Sequence, residues 1–439
     1  MLRNTTNFFV HVFDRYLPDP LVIVVFITLF VFGAGIVGEG QSPLDMLAFW
    51  QDGFWGLLSF AMQMALILVL GFTVASAPLF TRLVNKIASV ATTPGSAILV
   101  VSFVSLGASW LNWGVGLVLG AILGRELARR VAGVDYRLLI ASAYSGFLLW
   151  HGGFSGSIPL LVANPGHFLE GQIGLISTDR TIFSPLNLGM VAVLLLVVPL
   201  VNWAMMRGIK DPVTVDQTLV VNEAPAKTAE TITRPAERFE SSPVVAWLIA
   251  AMGFVAIFIY WWRGTGGLNL DLVNFILIFL GIALHGTLRR FLETFSEGTK
   301  GAAAVLIQFP FYAGIMGMMT GSGLTASMSN FFVSIATADT LPVLAFLAAG
   351  LVNVFVPSGG GQWAVQGPVM MEAAQTLQAD LGRVALAVAW GDAWTNMIQP
   401  FWALPALAIA GLKARDIMGF CVIILFVSGV IIGGSFWLF

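Results

Sequence analysis

Charge is scarce in this chain. Only 10% of its 439 residues are Asp, Glu, Lys or Arg, against roughly 25% in an ordinary soluble domain. So 21 Lys+Arg and 23 Asp+Glu cannot cover a water-facing surface of this size. Cysteine is almost absent. Cys421 lies alone in the apolar run Gly419–Val430, which excludes an internal disulfide and a cysteine-held metal cluster. The four histidines, His11, His151, His167 and His285, are too scattered for a multi-histidine metal site. A net charge of −2 gives no electrostatic footprint for nucleic acid. No Gly-x-x-x-x-Gly-Lys-Ser/Thr loop is present, which argues against direct drive by ATP, and no cofactor is expected. What is abundant is apolar: 58% of residues are hydrophobic and 47 are glycine. Such a chain is too apolar for disorder. An all-α polytopic membrane protein remains.

Leu21–Gly38 is eighteen residues of nearly unbroken apolar sequence, longer than the roughly 7–15 residues of a cleavable signal core. Ahead of it Phe8, Phe9, Val12, Phe13, Tyr16 and Leu17 recur at helical spacing. They predict a short interfacial helix ended by Pro18-Asp19-Pro20. Further apolar segments run 53–77, 95–127, 137–163, 184–206, 244–262, 271–286, 300–320, 341–378, 384–411 and 416–437. A single crossing of a core about 30 Å thick takes ~20 residues. Segments 95–127 and 341–378 are too long for that and are interrupted near the middle. They predict re-entrant hairpins, each with two half-length arms around a non-helical tip. The expectation is about nine full spans plus two hairpins. With a cytoplasmic amino terminus, 18 of the 21 Lys+Arg fall on the inner side, as the positive-inside rule requires. The polar stretch 207–243 reads as a cytoplasmic linker.

The two halves repeat. Gln63 pairs with Gln308, Asn112 with Asn353, Glu126 with Glu372 and Pro159 with Pro405, at separations of 241 to 246 residues. The expected organisation is a first repeat over 1–206, a connecting span at 244–262 and a second repeat over 263–439. The extra span makes the second repeat enter from the opposite face. Paired inverted repeats with hairpins point to a secondary transporter, with its site at the midplane.

Polar residues gather where each hairpin turns. The first tip reads Ser109-Trp110-Leu111-Asn112-Trp113-Gly114. The second runs from Asn353 through Pro357-Ser358-Gly359-Gly360-Gly361. The arm leaving each tip offers free N–H groups and a positive dipole end, which suit a carboxylate. The spans that follow are also interrupted, by Trp150–Pro159, which contains Ser155, Gly156 and Ser157, and by Gly391–Pro400, which contains Asn396 and Gln399. Exposed backbone at membrane depth is tolerated only where it lines a cavity or is buried in protein. Asp392 and His151 are the only titratable side chains in those breaks. Such groups are costly in a membrane and are candidates for a coupling Na⁺ or proton. With no interior Arg or Lys, carboxylate binding rests on neutral donors and helix dipoles.

These motifs resemble the bacterial short-chain fatty acid transporter family, part of the ion transporter superfamily. The resemblance runs along essentially the whole chain. It includes Leu17-Pro18-Asp19-Pro20-Leu21, Met62-Gln63-Met64-Ala65-Leu66, Asn112-Trp113-Gly114 and Gly153-Phe154-Ser155-Gly156-Ser157. In the second half it includes Gln308-Phe309-Pro310-Phe311-Tyr312, Val356-Pro357-Ser358-Gly359-Gly360-Gly361 and Gln399-Pro400-Phe401-Trp402. It implies uptake of short monocarboxylates such as butyrate or acetoacetate across a bacterial inner membrane, coupled to Na⁺ or H⁺ by alternating access. It also implies a homodimer in the lipid bilayer. Asn112, Ser155, Ser157, Asn353, Ser358 and Asn396 become the substrate-site candidates. Trp113, Gly114, Gly156, Gly359, Gly360, Gly361 and Gln399 stand beside them. A dicarboxylate or amino-acid carrier of the same superfamily is the alternative, and an anion channel the rival from another class.

Overall fold

The structure is a computed structural model describing residues 20–215, 234–264 and 266–439. The interfacial helix expected before Pro20 and most of the linker lie outside the described residues.

Helix follows helix, with no strand among the described residues. The first run comprises α1 (Pro20–Glu39), α2 (Pro43–Gly53), α3 (Leu58–Ala75), α4 (Pro78–Ala88), α5 (Pro94–Leu111), α6 (Trp113–Arg130), α7 (Tyr136–Ser145), α8 (Ser157–Val162) and α9 (Pro185–Gly208). A six-residue helix (Pro235–Glu240) and the long helix α10 (Pro243–Trp262) intervene. The second run comprises α11 (Leu270–His285), α12 (Leu288–Thr299), α13 (Ala303–Ser322), α14 (Leu324–Ile335), α15 (Leu341–Phe355), α16 (Gly359–Thr376), α17 (Leu381–Thr395), α18 (Pro400–Ala410) and α19 (Ala414–Leu438). Taken in order, the two runs match. The short second helices have 11 and 12 residues, the fourth 11 and 12, the sixth 18 and 18, and the last 24 and 25.

The sequence sets many of these boundaries directly. Ser42, Thr93, Asp135, Ser184, Asn269, Thr287 and Asp380 each stand one residue before a helix, and their side chains accept a first-turn N–H. Proline occupies the first turn of α2, α4, α5 and α9, where its missing N–H is harmless. Asp380 also pairs with Arg180 at 2.8 Å, tying the start of α17 to the loop before α9. Burial raises the Asp380 pKa. The hydrogen bonds from Arg180 and the Arg383 N–H outweigh it and hold the carboxyl below its ordinary value.

Seven helical stretches are long and apolar enough to cross a membrane, so the chain is a multi-pass membrane protein. The other expected spans are shorter or broken helices. Segment 271–286 is a 16-residue helix, and 137–163 and 384–411 are each split by a 3₁₀ turn.

The segment 95–127 turns back on itself. A Cβ added to Gly116 would meet Ser109, one on Gly120 would meet Ser105, and one on Gly124 comes near Val101. These pairs share a constant index sum, so α5 and α6 run antiparallel, with glycines every fourth residue letting the backbones close up. The arms are longer than the half-length pair expected. At 18 residues and 1.5 Å per residue each is about 27 Å.

The runs also interlock. Gly53 at the end of α2 packs against Gly317 of α13, and Gly298 of α12 packs against Val69 and Phe72 of α3. Each run therefore lends its short second helix to the third helix of the other. Helix α3 meets α13 with Phe60 against Phe309 and Leu68 against Gly301, so these matched helices run antiparallel.

Candidate functional site

Each hairpin tip is built by a capping side chain. Asn112 has extended backbone (φ −157°, ψ 124°), and its Oδ1 accepts the Val115 N–H at 3.0 Å. Ser358 has nearly the same backbone (φ −157°, ψ 109°), and its Oγ accepts the Gly361 N–H at 3.3 Å. Ser358, 246 residues on, is thus the structural counterpart of Asn112, which corrects the expected pairing of Asn112 with Asn353. A cap must sit one residue before the helix with its side chain turned back on it. Asn353 instead lies inside α15 and points elsewhere.

The first tip docks on the first break. The chain runs through a 3₁₀ turn, Gly146–Gly152, and then extended backbone to α8. The Trp113 N–H donates to Ser155 Oγ at 2.9 Å and the Phe154 N–H to the Trp110 carbonyl at 2.8 Å. Trp110 Nε1 donates to the Gly152 carbonyl at 3.0 Å. Ser155 and Ser157 are fully buried. Gly114 passes close to Gly71 of α3, and Gly156 lies against the His151 carbonyl. Ser155→Ala removes the acceptor of a buried N–H, which costs about 1–3 kcal/mol. A matching drop in thermal stability in detergent is the expected result. An unchanged melting temperature would show that the Trp113 N–H finds another partner.

The second tip docks on the second break in the same way. Gln399 Nε2 donates to the carbonyls of Asn353 and Val354 at 2.7 and 2.9 Å. Asn353 Nδ2 faces the Asp392 carbonyl, Thr395 Oγ1 and Asn396 Oδ1, all within 3.0 Å. The break is shorter than the expected Gly391–Pro400. Helix α17 continues to Thr395, so Asp392 sits in its last turn, and only Asn396–Gln399 departs from helix.

His151 joins the two halves. It is fully buried, with Nδ1 2.6 Å from the Ala389 carbonyl and 3.4 Å from Asp392 Oδ2. Both neighbours of Nδ1 are acceptors, so Nδ1 carries the hydrogen. Nε2 lies 2.8 Å from Ser157 Oγ. The first residue of α16 rests on this pair. A Cβ on Gly359 would lie 2.6 Å from the imidazole and 2.7 Å from Ser157 Oγ. Gly360 and Gly361 are pressed just as closely by Phe60 and Phe309 and by Tyr312. From the other side the Trp113 ring meets Trp402 of α18 edge-on at 5.4 Å. So each tip touches the break of its own half and an element of the other.

Several buried polar atoms here have no hydrogen-bond partner. At the first tip they are Ser109 Oγ, Asn112 Nδ2 and Trp113 Nε1. At the second tip and break they include Asn353 Oδ1, Trp363 Nε1, Asp392 Oδ1 and Gln399 Oε1. Asp392 Oδ2 receives Asn396 Nδ2 at 3.2 Å. No Lys or Arg makes an ion pair with Asp392 among the described residues.

Two residues outside the expected set complete the frame. Tyr144 donates its hydroxyl to the Asn396 carbonyl at 2.5 Å, bracing the second break from α7. Asn187 of α9 donates to the carbonyls of Gly152 and Ile182 and accepts from Trp390 Nε1 at 2.9 Å. An Asn near the start of an apolar span was the available signal for Asn187. Tyr144 carried no signal beyond lying one turn before a break.

The family model for "Short chain fatty acid transporter" matches residues 1–439. The chain is 44% identical over 432 residues to an Escherichia coli (strain K12) protein, covering 98% of each. It is 40% identical over 447 residues to a Haemophilus influenzae (strain ATCC 51907 / DSM 11121 / KW20 / Rd) protein, covering 100% of each. Both bear the name "Putative short-chain fatty acid transporter". Among solved structures it is similar to the YdaH transporter of Alcanivorax borkumensis, described as having an unusual topology. The TM-score is 0.61 at 13% identity, over 96% of this chain and 97% of that one, a likeness of fold alone.

Proposed function

Since the chain belongs to the short-chain fatty acid transporter family, we propose that it takes up short monocarboxylates by alternating access, coupled to a cation whose charge Asp392 balances. The observation that carries this is the fully buried Asp392 carboxylate, whose Oδ1 has no partner. Asn353 Oδ1 and Gln399 Oε1 are unpaired as well, and buried oxygens without donors suit a cation. Asn112 Nδ2, an unpaired buried donor at the first tip, suits an anion.

Butyrate or acetoacetate fits neutral recognition of this kind. One carboxylate finds the unpaired Asn112 amide N–H, and among the described residues there is no buried Lys or Arg for a second carboxylate to pair with. Three oxygens, from Asn353, Asp392 and Gln399, favour Na⁺ as the coupling ion, since hard cations take oxygen ligands. His151 stands beside them, with Nδ1 3.4 Å from Asp392 Oδ2. The antiparallel meeting of α3 with α13 supports two inverted repeats. Segments 95–127, 137–163, 341–378 and 384–411 then form the moving core, in a homodimer of a bacterial inner membrane with a cytoplasmic amino terminus.

The test is uptake of labelled butyrate into proteoliposomes, with Na⁺ and pH gradients imposed separately. Accumulation driven by inward Na⁺ is expected. Accumulation driven only by inward H⁺ would move the coupling role to protonation of Asp392 or His151. No accumulation under either gradient, with folded protein, would overturn the substrate class.

A further inference from the structure

A cavity of about 550 Å³ lies between the first hairpin and helices α3, α4 and α11. Its wall includes Phe103, Leu111, Val115, Phe154, Leu277 and Leu280. Asn112 is the one polar residue among the described residues that line it. Asn112 is 4% exposed. Its Oδ1 is committed to capping Val115, which fixes the amide plane, and its Nδ2 has no partner. Gly71 of α3 lies against that same Oδ1, where any Cβ would collide with it.

A long apolar wall with a single fixed, unpaired donor matches one kind of molecule: an unbranched aliphatic chain with one polar end. We propose that this cavity holds the acyl tail of the transported monocarboxylate, with the carboxylate on Asn112 Nδ2. The assignment rests on the monocarboxylate reading above and adds what limits chain length. The cavity runs between hairpin and α11, so tail length is read along Leu111, Val115, Leu277 and Leu280. The aromatic cluster of Phe60 and Phe309 lies away from it, against the second tip. A second charged end lying along this wall would face leucine and phenylalanine with nothing to pair it, which disfavours dicarboxylates at this position.

Gly107 provides the test. It lines the cavity, and a Cβ built on it meets nothing within 4 Å. Gly107→Phe therefore places a ring at the cavity wall from a position whose Cβ has open space. Gly189 also has open space at its Cβ but does not line the cavity, so Gly189→Phe is the matched control. In proteoliposomes, acetate, butyrate, hexanoate and octanoate would each be competed against labelled acetate. A methylene in a fitted pocket is discriminated by about 10-fold or more. Gly107→Phe is therefore expected to weaken hexanoate and octanoate at least that much relative to acetate, while Gly189→Phe leaves the series unchanged. An equal loss across all four acids would mean that the cavity serves packing or a lipid chain and would overturn the proposal. So would an unchanged series. If wild-type protein takes up none of these acids, it is the monocarboxylate reading that fails instead.

Discussion

Asp392→Asn is expected to abolish Na⁺-driven accumulation of butyrate while leaving the protein folded. The exchange is nearly isosteric, and the surroundings tolerate it. Asn396 Nδ2 and His151 Nδ1 both face Oδ2, and an amide oxygen there serves them as a carboxylate oxygen does. What disappears is the carboxylate in a fully buried cluster otherwise made of amides, hydroxyls, carbonyls and the His151 imidazole. Removing one partner of a buried charged contact costs about 2–5 kcal/mol. That corresponds to a loss of about 30-fold or more in cation affinity. Accumulation against a gradient depends on that affinity directly. Butyrate accumulation at the wild-type level in proteoliposomes of the Asn variant would refute Asp392 as the balancing charge. The melting temperature in detergent separates a coupling defect from a folding one.

Gly153→Ala should have a comparably large effect for a different reason. Gly153 has ordinary extended backbone (φ −119°, ψ −168°), which any residue can adopt, so conformation does not demand glycine there. Space does. A Cβ would overlap the Trp110 carbonyl oxygen and crowd Trp110 C and Cα at 2.7 and 2.8 Å, and these are backbone atoms that cannot rotate aside. Three hydrogen bonds hold the tip on the break here, from the Phe154 N–H, Trp110 Nε1 and the Trp113 N–H. Overpacking alone costs about 1–3 kcal/mol, and separating the tip adds the hydrogen bonds to it. Loss of uptake together with a clear fall in thermal stability is the expected outcome. Gly189→Ala, made in open space, should melt like the wild type. Equal melting temperatures for the two variants would show that the tip is not held through this contact.

Much of this arrangement was legible in the sequence because membrane depth punishes polar backbone. Runs such as Trp150–Pro159 and Pro357–Gly361 stand out against their apolar surroundings, and twelve of the thirteen substrate-site candidates lie at the tips or breaks, Asn353 falling inside α15. Register within the repeat was harder. Asn112 and Asn353 share a side chain but not a role, since capping depends on position relative to a helix start and Ser358 supplies it as well as Asn does. The end of α17 was obscure for a similar reason. Gly391 looked like a breaker, yet it is there so that Phe346 and Ala349 of α15 can approach, and the helix runs through it. His151 could be marked as costly from sequence. Its partners Ala389 and Asp392 lie more than 230 residues away, and only the packing of α17 against the first break brings them to it.

The interlocked short helices have a consequence for how the chain is made. Gly53 of α2 closes against Gly317 of α13, a partner synthesised 264 residues later. At roughly 5–20 residues per second, the ribosome needs on the order of 13–53 s to reach it. Throughout that time α2 sits beside α1 in the bilayer with its glycine-facing surface uncovered. The first half is thus an assembly intermediate waiting for its own second half. If translation stalls in the linker, the nascent protein is left displaying that uncovered surface to membrane quality-control proteases.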